Sequence, residues 1–199
     1  MPRVEPLPRE QLAEFEDAFK MIEEAAGFIP NSMLTMGRSP ALLRAFSGLT
    51  AAVFAGPHLP RELKQLIAFV SSQSAGCRYC QAHTSFAAGE IGVPVEKIAA
   101  AFEFETSPLF DERERAALRI ARDAACVPNR TTDAQFEALS AYFGPDEIVE
   151  IVSVISLFGW LNRWNDTMAT ELEAGPLAFA QRELSGKGWE PGRHRRGGD

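Results

Sequence analysis

Residues 62–89 read ELKQLIAFVSSQSAGCRYCQAHTSFAAG, and the helical class of the chain is legible from them outward. Leu63, Leu66, Ile67 and Val70 recur at the spacing of one helix face, so a buried helix leads in. Ser74-Ala75-Gly76 interrupts that period and is expected to end the helix. Cys77 then opens a second helix, expected to run to about Gly89. Two of the three cysteines and one of the three histidines of the chain fall in Cys77, Cys80 and His83.

The position gives these residues chemistry. A helix N-terminus carries unpaired N–H groups and partial positive charge, which favours an anion. A thiolate is such an anion, and it is the reactive form of cysteine. At about 100° per residue, Cys77 and Cys80 lie one turn apart and roughly 60° apart around the axis, close enough for a disulfide after local adjustment. His83 follows Cys80 by three residues and is its neighbour on the helix surface. A cysteine pair beside an imidazole has the parts of a thiol redox site: attacker, resolver and proton carrier. Other readings stand beside it. Cys77, Cys80 and His83 could be zinc ligands, with Cys126 or His58 as a fourth. The cysteines could also be small core residues. A thioredoxin-like site would need a strand before Cys77, and the residues there read as helix.

On the N-terminal side, Leu12, Phe15, Phe19 and Ile22 form the stripe of a helix from about Glu10 to Ala26, which Gly27 ends. A short turn follows around Met33–Met36. Ser39-Pro40 reads as N-cap and first residue of a helix to about Phe54. On the C-terminal side, Gly92-Val93-Pro94 opens a helix to about Phe102. Asp111 with Glu114, and Thr132 with Gln135, read as capping boxes. A long apolar helix from Gly144 reaches about Leu172, and a shorter one runs from Pro176 to Leu184. Within the long helix, Asn162-Arg163-Trp164-Asn165-Asp166 is unusually polar: either a solvated face or a second wall of the site. Phe158, Trp160 and Trp164 read as core or interface aromatics, and Cys126 as core.

No run of alternating strands appears, so the expectation is an all-α single domain over residues 1–185 with a flexible tail over 186–199. The chain has 199 residues, 46% of them hydrophobic, enough for one core with an interface to bury, and a homo-oligomer is expected. A formal charge of −7 gives no basic excess to meet phosphate, which argues against nucleic acid. No segment reaches the ~18 apolar residues of a membrane span. MPRVEPLPREQL has no apolar signal region, which points to the cytoplasm, where a Cys-x-x-Cys is more often catalytic or metal-binding than structural.

The stretch LPRELKQLIAFVSSQSAGCRYCQAHT resembles the AhpD-like, carboxymuconolactone decarboxylase superfamily. SPLFDERERAALRIA and FGPDEIVEIVSVISLFGWLNRWND look like its peroxidase-related branch, and the resemblance covers roughly residues 30–175. It implies an all-α, AhpD-like multi-helix fold, homo-oligomers, and reduction of hydroperoxides by the cysteine pair. Carried over, Cys80 is the peroxidatic sulfur, Cys77 the resolving one, and a histidine relays protons to a glutamate on the preceding helix. An external dithiol regenerates the pair, and neither cofactor nor metal is required. Two positions depart from the family pattern. The family histidine falls at Thr84 here, so His83 comes one residue early, a rotation of about 100°. The relay glutamate falls at Gln65, which cannot carry a proton as a carboxylate does; Glu62, one turn earlier, is its candidate substitute. The alternatives are a non-enzymatic helical oligomer with a redox switch or metal clip, and a decarboxylase-like lactone enzyme using Arg78 and Arg163.

Overall fold

The structure, a computed structural model, describes residues 1–195. Ten α-helices occur in it: α1 (Glu16–Ala26), α2 (Asn31–Met36), α3 (Pro40–Ala55), α4 (Arg61–Ser74), α5 (Arg78–Glu90), α6 (Val95–Ala100), α7 (Glu112–Ala124), α8 (Asp133–Ser140), α9 (Pro145–Met168) and α10 (Ala174–Glu183). Among the described residues there is no strand, as the all-α reading expects. None of these helices is long and apolar enough to cross a membrane.

α4 is the hub. It packs against α5, α7 and α9, while α5 packs on α9 and α10 as well. Seven consecutive residues, Leu66 through Ser72, are buried on all sides of α4. Its polar groups there are paired: Ser72 Oγ donates to Ala68 O at 2.8 Å and Ser71 Oγ to Ala121 O at 3.4 Å. Lys64 is fully buried. Its ammonium donates to the carbonyls of Gly56 (2.7 Å) and Val53 (3.1 Å) and pairs with Glu150 of α9 at 2.9 Å. Glycine at position 56 leaves room for this pair: a Cβ there would lie 2.5 Å from the Glu150 carboxyl and displace it. One buried cation thus ties the end of α3 to both α4 and α9.

The helix ends follow the sequence closely. Both predicted capping boxes form. Asp111 Oδ1 accepts from Glu114 N at 2.8 Å, and Thr132 Oγ1 accepts from Gln135 N at 3.3 Å. Pro40 is the first residue of α3, but Ser39 makes no side-chain cap. Three expectations change. The first helix is broken: Arg9–Phe15 is a 3₁₀ stretch kinked at Leu12, whose buried side chain seats on Gly37, where a Cβ would lie 2.6 Å from it. α9 stops at Met168 rather than Leu172, because Ala169 turns left-handed (φ 50°) and Thr170 N closes back on Asn165 O at 3.1 Å. The expected loose end does not describe residues 186–195. There Trp189 is buried and donates to Arg78 O at 3.3 Å. His194 is buried too, and its backbone carbonyl accepts from Leu172 N at 2.9 Å. Residues 196–199 of the predicted tail lie outside the described residues.

Truncating Lys64 leaves Glu150 without its buried partner, and one-sided loss of such a pair costs about 3–5 kcal/mol. Lys64→Ala is expected to lower the urea midpoint accordingly, and Lys64→Met with Glu150→Gln to lower it less than Lys64→Met alone.

Candidate active site

The turn between α4 and α5 builds the site. Gly76 is left-handed (φ +75°), a conformation that costs glycine little. Its N–H donates to Gln73 O at 3.0 Å, and Cys77 N–H donates to Ser72 O at 3.2 Å. This pair of bonds is the Schellman closure of α4. Cys77 then serves as the N-cap of α5, its sulfur accepting from Cys80 N at 3.5 Å. A serine or asparagine usually holds this position; here the capping atom is a thiol sulfur.

The two sulfurs differ as a result. Hydrogen bonding from the Cys80 thiol draws the Cys77 pKa below the ordinary thiol value; burial and the Asp166 charge oppose this, and the N–H groups of Cys80 and Tyr79 assist it. Cys80 moves the other way. Burial pushes its pKa well up, its donation to Cys77 and the Cys77 charge add to that, and the bond from Asn165 only partly offsets them. Asn165 Nδ2 donates to Cys80 Sγ at 3.4 Å. Both cysteines are free and almost wholly buried. The N-terminal end of α5 therefore stabilises the thiolate at Cys77, not at Cys80.

His83 faces elsewhere. Its Nε2 lies 2.5 Å from Glu173 Oε2, at the start of α10. The other carboxylate oxygen accepts from Tyr79 OH at 2.9 Å and from Asn31 N at 2.5 Å. Tyr79 stacks on the His83 ring (4.2 Å between centroids, 23°), and Phe28 meets that ring edge-on at 5.4 Å. Burial raises the Glu173 carboxyl, but the charge and hydrogen bond of His83 and the Asn31 N–H outweigh it, leaving the pKa below the ordinary value. Burial and the nearby Glu173 charge push the Tyr79 phenol well up. A cavity of about 380 Å³, lined by Asn31, Thr35, Thr170 and Glu173, reaches the carboxylate from outside.

The glutamate partner of the histidine is thus Glu173, ninety residues downstream of His83. Among the described residues, neither Glu62 nor Gln65 hydrogen-bonds to Cys77, Cys80 or His83. Glu62 is exposed in the first turn of α4, roughly 18 Å of helix from the turn that carries the cysteines. Gln65 is half-buried on the same helix. No local signal marks Glu173, since the segment after α9 is extended and its register depends on packing. The polar run of α9 was the legible clue: it does bring Asn165 onto Cys80, with Asp166 near both thiols. Among the described residues, no three His, Cys, Asp or Glu side chains converge on a point that could hold a metal ion. Cys126 instead contacts Ser74 Oγ at 3.4 Å.

The carboxymuconolactone decarboxylase family model matches residues 40–123, from α3 to the end of α7. Debrominase Bmp8 is 40% identical, covering 90% of this chain and 96% of its own, with a TM-score of 0.85. The chain belongs to the carboxymuconolactone decarboxylase family. Bmp8 is known both without ligand and, with one cysteine changed to alanine, in complex with 2,3,4-tribromopyrrole. An uncharacterized peroxidase-related protein from Silicibacter sp. TM1040 shares the fold at 23% identity and a TM-score of 0.75, covering 87% of this chain and 90% of its own. The protein YnjA of Escherichia coli (strain K12) is 29% identical over 106 residues, which span 53% of this chain and 58% of YnjA.

Two measurements check this site. Thiolate absorbance in the ultraviolet is expected to rise below the pH at which free cysteine ionises, to vanish in Cys77→Ser, and to shift to higher pH in Cys80→Ala. For Glu173, a carboxyl whose folded pKa is depressed contributes stability above its unfolded pKa, near 4.3, and loses it as pH falls through the lower folded value. Acid denaturation of Glu173→Gln should lack that component of the pH dependence.

Proposed function

We propose that this protein is a dithiol-dependent reductase that takes an electrophilic atom from a small organic substrate, with Cys77 attacking and Cys80 resolving. The asymmetry of the pair carries the reading. One sulfur is stabilised as a thiolate at a helix N-cap, and the other is held as a thiol in hydrogen-bond contact with it. A nucleophile with a protonated resolver beside it is what thiol–disulfide chemistry asks for. This assignment reverses the roles that the family resemblance implies for the two sulfurs.

The likeness to debrominase Bmp8 supports a carbon–halogen bond as the target. In that reaction the Cys77 thiolate takes the halogen, forming S–X as the C–X bond breaks. The ring carbon gains a proton from His83, whose ring is held by Glu173 at 2.5 Å. The Cys80 sulfur then displaces halide from Cys77, releasing a proton and leaving the disulfide. An external dithiol reduces that disulfide by exchange. His83 regains its proton from solvent through Glu173 and the cavity beside it.

The hydroperoxide reading rests on the same pair and needs no acid aimed at a ring carbon. The Cys77 thiolate attacks the terminal oxygen, the O–O bond breaks, and the alkoxide leaves and takes a proton. Cys80 condenses with the Cys77 sulfenic acid, giving the disulfide and water. The remaining alternatives are less well supported: His83 is committed to Glu173 rather than to a metal clip, and Arg163 is exposed on α9.

The decisive experiment offers 2,3,4-tribromopyrrole and cumene hydroperoxide separately, with dithiothreitol, and measures bromide release and peroxide consumption. Turnover with at least one of them is expected from the wild type and none from Cys77→Ser. Cys80→Ser should stop after one turnover and accumulate oxidised Cys77, visible by mass spectrometry. His83→Ala should slow bromide release by about a hundredfold or more, the usual contribution of a positioned acid. A fully reduced wild type that turns over neither substrate sinks the proposal.

A further inference from the structure

We infer that residues 186–195 form a hinged cover over the dithiol, and that this cover lifts to admit molecules to Cys77. The inference goes beyond the reductase reading: it concerns access, whichever electrophile Cys77 attacks.

Cys77 is 1% exposed and Cys80 2%. Neither lines the cavity at Glu173 or the groove that runs along α9. A sulfur that attacks a substrate, and a disulfide that an external dithiol reduces, must both be touched. Some element over them has to move. α4 and α9 enclose the sulfurs too: Cys77 N–H donates to Ser72 O, and Asn165 donates to Cys80. Their facing sides are the core of the fold, so neither withdraws without unfolding it.

The segment after α10 can move by itself, and it crosses the two residues that separate the cysteines. Trp189 Nε1 donates to Arg78 O at 3.3 Å, and the His194 ring lies 5.9 Å from the Tyr79 ring. Trp189 and His194 are buried, Pro191 is half-buried, and the other residues from Gly186 to Arg195 are exposed. The segment is thus a strap pinned at two points. Gly188, immediately before the first pin, is left-handed (φ +78°), a conformation that costs glycine little and suits a hinge.

The second pin is incomplete. His194 Nδ1 donates to Thr170 O at 2.8 Å, but Nε2 is buried without a hydrogen-bond partner, 3.6 Å from Asp166 Oδ1. Lifting the strap gives that nitrogen to water and recovers part of the cost of opening. Arg193 meets Asp166 only at the surface, at 3.6 Å, where an ion pair contributes little. Local opening of a terminal segment held this way needs far less than global unfolding.

The test is alkylation of the reduced full-length protein by iodoacetamide, whose iodide the Cys77 sulfur displaces, followed at that residue by mass spectrometry. Amide exchange at Leu172 is an independent reporter, because its N–H donates to His194 O at 2.9 Å and is freed when the strap lifts. Trp189→Ala loses both the buried indole and its hydrogen bond, and should speed Cys77 alkylation by about a hundredfold or more. Trp189→Phe keeps a buried ring, should speed it by roughly tenfold, and decides the matter if the alanine variant does not fold. Exchange at Leu172 should accelerate by the same factor in each variant, and exchange of the buried amides of α4 should not. Unchanged alkylation in a folded variant would overturn the inference. So would an acceleration that the α4 amides share, since that marks global unfolding. Access is read without turnover, so a protein that opens as expected yet reduces neither substrate fails the reductase proposal and supports this one.

Discussion

A helix surrounded on all sides has no solvent face on which to place a charge, and α4 is such a helix. From Leu66 to Ser72 each residue is buried, so every neighbour must meet an apolar or small surface there. That constraint assembles α5, α7 and α9 around one axis. The buried charge just before that length, Lys64, is tolerated because two carbonyls and a carboxylate converge on it. Removing water from an ammonium is expensive, and only such complete pairing compensates. The same convergence fixes the approach of α9, whose other half brings Asn165 and Asp166 to the dithiol.

At that end, one residue terminates one helix and starts the next. The N–H of Cys77 closes the Schellman turn of α4, while its sulfur caps α5. Backbone geometry that would be needed in any helical hairpin here also places N–H donors against a sulfur. The thiolate is stabilised first by the Cys80 thiol and then by the N–H groups of Cys80 and Tyr79 in the turn. Cys80, one turn further in, is too deeply enclosed to share that benefit. The division of labour between the sulfurs thus follows from depth and capping, not from residue type.

Glu173 shows a different kind of dependence. Its carboxylate receives Asn31, Tyr79 and His83, tying the start of α2 and the body of α5 to the segment before α10. Desolvation alone would favour the neutral acid, and His83 together with the Asn31 N–H reverses that. A glutamate on α4, the position suggested by resemblance, has become unnecessary for pairing the histidine. His83, one residue earlier than the family histidine, points to a carboxylate on another element, consistent with Gln65 standing where a relay glutamate was expected.

Much was legible in the amino-acid order because it is local. The Leu63-Leu66-Ile67-Val70 period, the break at Gly76 and the capping boxes at Asp111 and Thr132 each act within a few residues, and each appears where the sequence puts it. The closeness of Cys77 and Cys80 is equally local, since one helical turn sets it. What the order of residues left open depends on contacts across long separations. Which sulfur ionises follows from how deeply packing buries Cys80, a burial that the bond from Asn165, eighty-five residues away, only partly offsets. Which carboxylate meets His83 follows from how α10 docks on α5. The fate of residues 186–195 follows from the burial of Trp189 and His194, which bond to Arg78 O and Thr170 O, and no periodicity within a short Gly-rich segment announces it. Helix and turn chemistry is written along the chain; ionisation and pairing in a buried site belong to its environment, and that environment exists only once the helices have packed.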